Sequence, residues 1–322
     1  MDVLVEVEGL NKRFGDLHAV RDLSLRVSRG EVLGFLGPNG AGKSTSMKMI
    51  TGFLTPTSGS VRIKGMSVAD DPIRCKREIG YLAEGAPAYG EMTPRQFLGF
   101  IGAVRGLSAR QRRTRITELA ESIHLEGVLD QPIETLSKGY KRRVGLAQAV
   151  LHDPEILILD EPTDGLDPNQ KHEVRSLIQS MAAHKAIIVS THILEEVDAV
   201  CTRAVIIAKG QLLFDGTPDS LAARARYHNA VVLTVARAHV DRVCEGVRGV
   251  VGVLALETRP QGASLVEVVA LPKPGVNLVA EIGGLAREQG WEVSGLNVER
   301  GRLDDVFRDV TQAALSGQSP SS

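Results

Sequence analysis

The sequence has little with which to build a disulfide-stapled or metal-clipped protein. Its 322 residues include three cysteines, Cys75, Cys201 and Cys244, an odd number at scattered positions. That excludes a cysteine metal spacing and a paired disulfide framework, and it fits a reducing compartment. Charge of one sign is also lacking. The 38 Lys and Arg balance 39 Asp and Glu, for a net charge of −1, so there is no basic field to hold nucleic acid and none is expected as a partner. No apolar run approaches the ~20 residues of a membrane-spanning helix. Met1 to Gly9 carries acidic residues and does not read as a signal peptide. There is no heptad run for a coiled coil. What is present is 43% hydrophobic residues, enough for a full core, in a length that accommodates two domains.

The chain is organised around Gly37-Pro38-Asn39-Gly40-Ala41-Gly42-Lys43-Ser44-Thr45. An apolar run, Val32 to Leu36, precedes it and reads as a buried strand. Ser46 to Ile50 follows and reads as the start of a helix. Strand, glycine-rich turn, Lys-Ser and helix make the P-loop pattern. The glycines let successive backbone N–H groups point inward at a phosphate chain. The helix behind adds the positive end of its dipole. Lys43 supplies a full charge at the outer phosphates, and the Ser44 hydroxyl is placed to hold Mg²⁺. The blander reading is a glycine-rich loop that ends in an ordinary helix N-terminus.

Around this stretch the pattern is α/β. Leu4 to Glu8 alternates like an edge strand, Asn11 to Gly15 reads as a turn carrying the aromatic Phe14, and Leu23 to Val27 alternates again. Ser60 to Ile63 and Glu78 to Leu82 look like strands. From Thr93 to His152 the pattern turns helical, with Pro94 in a first turn, Gly106 ending that helix, and Ser108 and Ser137 opening two more. Arg110, Arg112, Arg113 and Arg115 crowd one helix start, a basic patch that could face nucleic acid or a partner but more often reads as a solvated face. Ile156 to Leu159 and Ala186 to Ser190 are unbroken apolar runs, the mark of parallel strands buried on both faces. A helix from Pro168 to Ala183 joins them into a βαβ unit. Ala204 to Ile207 and Leu212 to Phe214 read as a closing hairpin. Beyond a boundary near Thr217 to Tyr227, strands and helices alternate in a ferredoxin-like order. The polar end, Ser316 to Ser322, is expected to be disordered.

Four further stretches narrow the chemistry. Asp160-Glu161 ends a buried strand, which puts both carboxylates where open α/β sheets bind ligands. Asp160 is placed to hold Mg²⁺ and Glu161 to polarise an attacking water. Asp164-Gly165-Leu166-Asp167 follows, with Asp167 a good cap ahead of Pro168. His192 ends the next buried strand, where it can reach a γ-phosphate. Leu136-Ser137-Lys138-Gly139-Tyr140 opens a second helix whose N-terminus suits an anion.

Together and in this order, these stretches resemble the nucleotide-binding subunit of an ABC transporter, over roughly residues 1 to 220. Gly37 to Thr45 is similar to Walker A and Ile156 to Glu161 to Walker B. Leu136 to Tyr140 is similar to the signature loop, Asp164 to Asp167 to the D-loop, and His192 to the switch histidine. Phe14 stands in the place of the aromatic that stacks on adenine. Two departures are visible. The third and fifth signature residues are Lys138 and Tyr140 instead of Gly and Gln, with Ser137 and Gly139 kept. In the loop between Leu82 and Pro87, Glu84 replaces a glutamine that meets Mg²⁺ and the attacking water. Both departures, and the ending Val298 to Phe307, resemble the gliding-motility-associated and copper-site-maturation subfamily.

The resemblance implies an α/β P-loop ABC ATPase core with antiparallel and helical subdomains, followed by a small α+β domain. The expected limits are 1–222 for the ATPase domain, with its helical part at about 93–152, then 223–315 and a tail at 316–322. It implies MgATP hydrolysis, with Glu161, His192 and Glu84 catalytic and with Ser44, Asp160 and Glu84 toward the metal. Phe14, Gly37 to Thr45, Ser137 and Gly139 would hold ATP, the last two across a head-to-tail homodimer. The expected partner is a separate integral-membrane permease, with the chain on the cytoplasmic face of the membrane, driving export. An ABC-type ATPase of DNA repair or translation is the other reading. A small-molecule kinase would have no use for Leu136 to Tyr140.

Overall fold

The computed structural model of the protein describes residues 2–86, 88–299, 301 and 303–316. It divides into two compact units, Met1–Pro218 together with Thr311–Ser322, and Asp219–Val310.

The first unit opens with β1 (Val3–Phe14) and β2 (Leu17–Ser28). It continues with β3 (Val32–Leu36), α1 (Lys43–Ile50), β4 (Ser58–Ile63), β5 (Met66–Ser67), α2 (Pro72–Glu78) and β6 (Ile79–Leu82). Then come α3 (Pro94–Val104), α4 (Ala109–Ser122), α5 (Lys138–Val150), β7 (Ile156–Asp160), α6 (Pro168–Ala182) and β8 (Ala186–Thr191). Helix α7 (Leu194–Val200), β9 (Arg203–Ala208), β10 (Gln211–Gly216) and α8 (Pro218–Ala222) complete the run, the last of these crossing the division between the units.

A four-stranded antiparallel sheet has the order β2-β1-β4-β5. Strand β1 is thus an inner strand, not the edge strand that its alternation suggested. Alternation reports that one face is buried, and in an antiparallel sheet inner strands share that pattern. The strand also runs on through Asn11 to Phe14, where a turn was expected. Its register with β2 shifts between Val7 and Leu10, around Gly9 at φ 55°, so a bulge bends the chain without ending the pairing.

A six-stranded sheet has the order β10-β9-β3-β8-β7-β6, parallel except for the β9–β10 hairpin. Its inner strands are buried on both faces, which is why they read as unbroken apolar runs. Along β7, Ile156 and Ile158 join the core on the side of the antiparallel sheet, and Leu157 and Leu159 join the core under the helices. The parallel register sets Leu36 beside Thr191, Asp160 beside Ser190 and Leu82 beside Leu159. The loops that leave the carboxyl ends of β3, β6, β7 and β8 therefore emerge side by side.

The helical part is fixed by its caps. Thr93 with Gln96 and Ser108 with Gln111 form capping boxes at α3 and α4, and the Ser137 hydroxyl accepts from the Tyr140 N–H at α5. Arg110 and Arg113 are exposed, while Arg115 turns inward to the carbonyls of Val150 and Leu151.

The second unit runs β11 (Ala230–Ala236), α9 (Val240–Arg248), β12 (Val253–Gln261), β13 (Leu265–Pro272), α10 (Val279–Glu288), β14 (Val293–Glu299) and into α11 (Leu303–Ser316). Its sheet is antiparallel in the order β12-β13-β11-β14, the ferredoxin-like order. Val231, Leu233, Val268 and Ala270 of the sheet share a core with Val243, Val247 and Ile282 of the helices. Of the ending Val298 to Phe307, Arg300 and Arg302 lie outside the described residues. Of the polar tail, Ser316 closes α11 and Gly317 to Ser322 lie outside them.

Candidate active site

The P-loop joins β3 to α1, and its shape depends on glycine at the turn. Gly42 has φ 105°, and a Cβ there would lie 2.6 Å from the Ala19 carbonyl of β2. Only glycine meets both conditions. The same contact puts β2 against the phosphate loop. Phe14 lies at the tip of the β1–β2 hairpin, paired with Leu17 and 47% exposed, with the Lys12 ammonium 5.1 Å from its ring centre. Its ring is open to stack on a flat ligand.

Lys43 is buried, and its ammonium donates to the Gly37 carbonyl at 2.7 Å and the Pro38 carbonyl at 3.3 Å. It also lies 4.0 Å from Glu161 Oε1. Burial pulls its pKa below the usual lysine range, against the carboxylates of Glu161, Asp160 and Glu84. A phosphate chain entering the loop would replace those carbonyls as the acceptor.

Glu161 is the centre of the site. His192 Nδ1 lies 2.7 Å from its Oε2. Burial raises its carboxyl pKa, with His192 and Lys43 opposing the rise. Its backbone has φ 53°, the left-handed region. For a non-glycine residue that conformation costs on the order of 1–3 kcal/mol and persists only where the surroundings hold it. The Ser190 carbonyl accepts from its N–H at 3.0 Å, and its own carbonyl accepts from the Asp164 N–H at 3.1 Å and from Arg142.

Asp160 is fully buried. Ser190 Oγ donates to its Oδ1, while its Oδ2 has no hydrogen-bond partner among the described residues. A buried carboxylate oxygen without a donor is costly. A hard cation would satisfy it. The Ser44 hydroxyl lies 3.4 Å from Glu84 Oε2, so oxygen donors of the kind that Mg²⁺ takes flank the loop. Among the described residues no group of three or more His, Cys, Asp or Glu could hold a metal alone. Mg²⁺ is usually bound by one or two carboxylates with the substrate's phosphates, and the donors present fit it.

The fold thus gathers Lys43, Ser44, Glu84, Asp160, Glu161 and His192. No hydrogen bond or ion pair among the described residues joins Phe14, Ser137 or Gly139 to them. Ser137 caps α5, and Gly139 packs against α6, where a Cβ would meet Gln170 Oε1 at 2.7 Å. Lys138 pairs with Asp164 at 3.1 Å, and Asp167 caps α6 by accepting from the Gln170 N–H. The sequence reading had assigned no role to Ser190, or to Tyr81, whose hydroxyl is buried without a partner and whose pKa is driven up by burial and by Asp160 and Glu84. It also passed over Arg142. A charged residue four positions before Leu146, on the buried side of α5, was the available signal.

A family model described as ABC transporter matches residues 20–164. The probable multidrug ABC transporter ATP-binding protein YbhF of Escherichia coli is 37% identical over 225 residues, which are 70% of this chain and 39% of that protein. The chain thus matches about two-fifths of the length of that relative. The daunorubicin resistance ATP-binding protein DrrA2 of Streptomyces coeruleorubidus is 31% identical over 309 residues, 95% of this chain and 94% of the relative. A solved structure of an ATP binding subunit of an ABC transporter aligns with a TM-score of 0.64 at 33% identity, over 68% of this chain and 91% of that one. With the P-loop, the paired carboxylates and the histidine already converging, this extent of similarity decides the family: the chain belongs to the ABC transporters, as an ATP-binding subunit with their ATPase fold.

Proposed function

We propose that the chain hydrolyses MgATP and that hydrolysis drives export through a separate membrane permease. The observation that carries the catalytic part is the Lys43–Glu161–His192 cluster at the carboxyl ends of β3, β7 and β8. The P-loop N–H groups and Lys43 bind the phosphates. Ser44, Asp160 and Glu84 would hold Mg²⁺, which supplies charge neutralisation on the β- and γ-oxygens when bound. Glu161 accepts a proton from the attacking water, a role suited to a carboxylate whose pKa is raised by burial. His192 donates its Nδ1–H to Glu161 and fixes that carboxylate. The other ring nitrogen, Nε2, is left to meet the γ-phosphate.

Among the described residues, Ser137 and Gly139 make no polar contact with their own P-loop, which supports their use across a homodimer, on the ATP of a second copy. The domain limits follow the same reading, with the ATPase work in residues 1–222 and an accessory role for 223–315.

A groove supports the permease. A cavity of about 940 Å³ opens between α2, β6 and α3, lined by Phe53, Tyr81, Tyr89, Phe97, Ile101 and Val104 among others. Phe53, Ile73, Tyr89 and Val104 around it are more than half exposed. Soluble monomers rarely leave such a patch open. We assign it to a cytoplasmic helix of the permease, which would hold the chain at the cytoplasmic face of the membrane. Export follows from the relatives named for multidrug transport and daunorubicin resistance. Glu84, Lys138 and Tyr140 further support the gliding-motility and copper-site-maturation subfamily.

Glu161→Gln tests the catalytic part. Gln keeps the size and hydrogen bonding but takes no proton, so the variant should hold ATP and elute as a dimer with MgATP and as a monomer without it. A variant that binds ATP and stays monomeric at saturation overturns the dimer, and one that still turns over overturns the base.

A further inference from the structure

Arg142 lies one turn beyond Ser137–Gly139 on α5 and is 5% exposed. Its guanidinium donates to four backbone carbonyls. One is Asp160 at 2.6 Å, two are Glu161 and Pro162, and the fourth is Ala83, at 3.4 Å. Three of these carbonyls belong to the turn that carries the metal-side carboxylate and the base. The fourth immediately precedes Glu84. Burial lowers the Arg142 pKa below the usual arginine value, and the carboxylates of Asp164, Asp160, Glu161 and Glu84 around it oppose that shift. One guanidinium therefore bridges the ends of β6 and β7, which carry the site's three acidic residues.

Two further observations make this bridge more than packing. Glu161 sits in the left-handed region at φ 53°, a conformation that must be held from outside. Ser190 holds its N–H, and Asp164 and Arg142 hold its carbonyl. Gly145, three residues after Arg142 on the same side of α5, lets the Glu84 loop come close. A Cβ there would lie 2.7 Å from Ala86 Cβ and 2.8 Å from Leu82 Cδ1. The helix that begins with Ser137 is thus built to grip both catalytic loops from beneath.

We propose that Arg142 is a positioning residue for hydrolysis. It fixes the Glu161 turn and the Glu84 loop in one geometry, so that both carboxylates face the same phosphate, and it touches neither nucleotide nor water. The inference rests on the reading of Glu161 as the base. A planar fork with five donors is required to reach carbonyls on two loops, and an ammonium cannot span them.

The test measures kcat, KM and the equilibrium Kd for MgATP in wild type, Arg142→Lys, Arg142→Met and Glu161→Gln, each as the full chain. Arg142→Met should lose at least thirtyfold in kcat while the ATP Kd stays within threefold, because the P-loop is untouched. Arg142→Lys should fall between Met and wild type, below one third of wild-type kcat. Near wild-type kcat in Arg142→Met, beside an inactive Glu161→Gln, overturns the proposal alone. So does a loss of ATP affinity in proportion to kcat, which marks a general structural role. Wild-type turnover in Glu161→Gln overturns the base reading and the route through Arg142 with it. Should Arg142→Met not fold, the lysine variant decides, and full turnover there is the contrary result.

Discussion

Glu84 is where two opposed electrostatic effects meet. In the role proposed for it, as a hard oxygen ligand, it would be drawn to Mg²⁺. As a negative charge beside the phosphates it repels them, by on the order of 1–2 kcal/mol at moderate distance and an effective dielectric near 20. Its carboxylate lies 3.4 Å from the Ser44 hydroxyl and acts on Lys43, so it faces the P-loop. Glu84→Gln keeps the volume and removes the charge. It should bind metal-free ATP roughly fivefold or more tighter while hydrolysis stays within about tenfold, roughly 1.4 kcal/mol in barrier. Titration of ATP with and without EDTA in both proteins checks this, and equal affinity ratios would separate Glu84 from the metal. Gly42→Ala should act the other way. The positive φ and the 2.6 Å approach to the Ala19 carbonyl leave no room for a methyl group, and ATP binding should weaken by more than tenfold at a strain of about 1–3 kcal/mol. Side chains of this kind are legible in the sequence, because chemistry at the end of a buried strand follows from type and spacing. Ser190 and Arg142 are not. Their partners are a carboxylate and carbonyls brought near by folding, and backbone acceptors carry no residue-type signature.

At the scale of elements, His152 shows how the helical part is joined to the sheet. It follows α5, its Nε2 lies 3.3 Å from the Ile79 carbonyl of β6, and its Nδ1 is buried without a partner among the described residues. Burial and the nearby Arg105 push its pKa down to about 4. The unfolded chain, with histidine near 6.5, therefore binds a proton that the folded chain refuses between those two values. Stability rises with pH across that window. The contribution lost by pH 4 is on the order of 3 kcal/mol, since each unit is about 1.4 kcal/mol. Relative to wild type, His152→Gln should show a shallower loss of urea midpoint between pH 6.5 and 4, and parallel curves would place the acid sensitivity elsewhere. The long helices and buried strands were legible because period and capping residues are local. Helix α2 and strand β5 were not. Helix α2 buries only Cys75, and β5 has two residues, so neither carries a periodic pattern. The inner position of β1 was hidden for a different reason, since alternation names a buried face and not a place in the sheet order.

At the scale of the whole chain, each residue assigned to the nucleotide lies before Pro218, the end of the first unit's main run. The second unit has its own sheet and a core in which Val243, Val247, Leu278 and Ile282 close one face of that sheet. A unit with its own core is expected to fold by itself. Its ferredoxin-like order says nothing of its role, because that fold hosts many functions. A chain ending at Ala222, which also lacks Thr311–Ser322 of the first unit, should fold and bind MgATP within about threefold of the full protein, since the P-loop, Asp160, Glu161 and the partners described for them lie before residue 222. Its hydrolysis should persist as well. What it should lose belongs to assembly: regulation, or attachment to a partner. Calorimetry for folding, nucleotide titration for binding and pull-down with the proposed permease separate these. A folded truncation that no longer binds ATP would show that the second unit is part of the nucleotide site. One that binds and hydrolyses ATP but no longer retains the proposed permease would assign the second unit to docking, beside the role proposed for the apolar groove of the first.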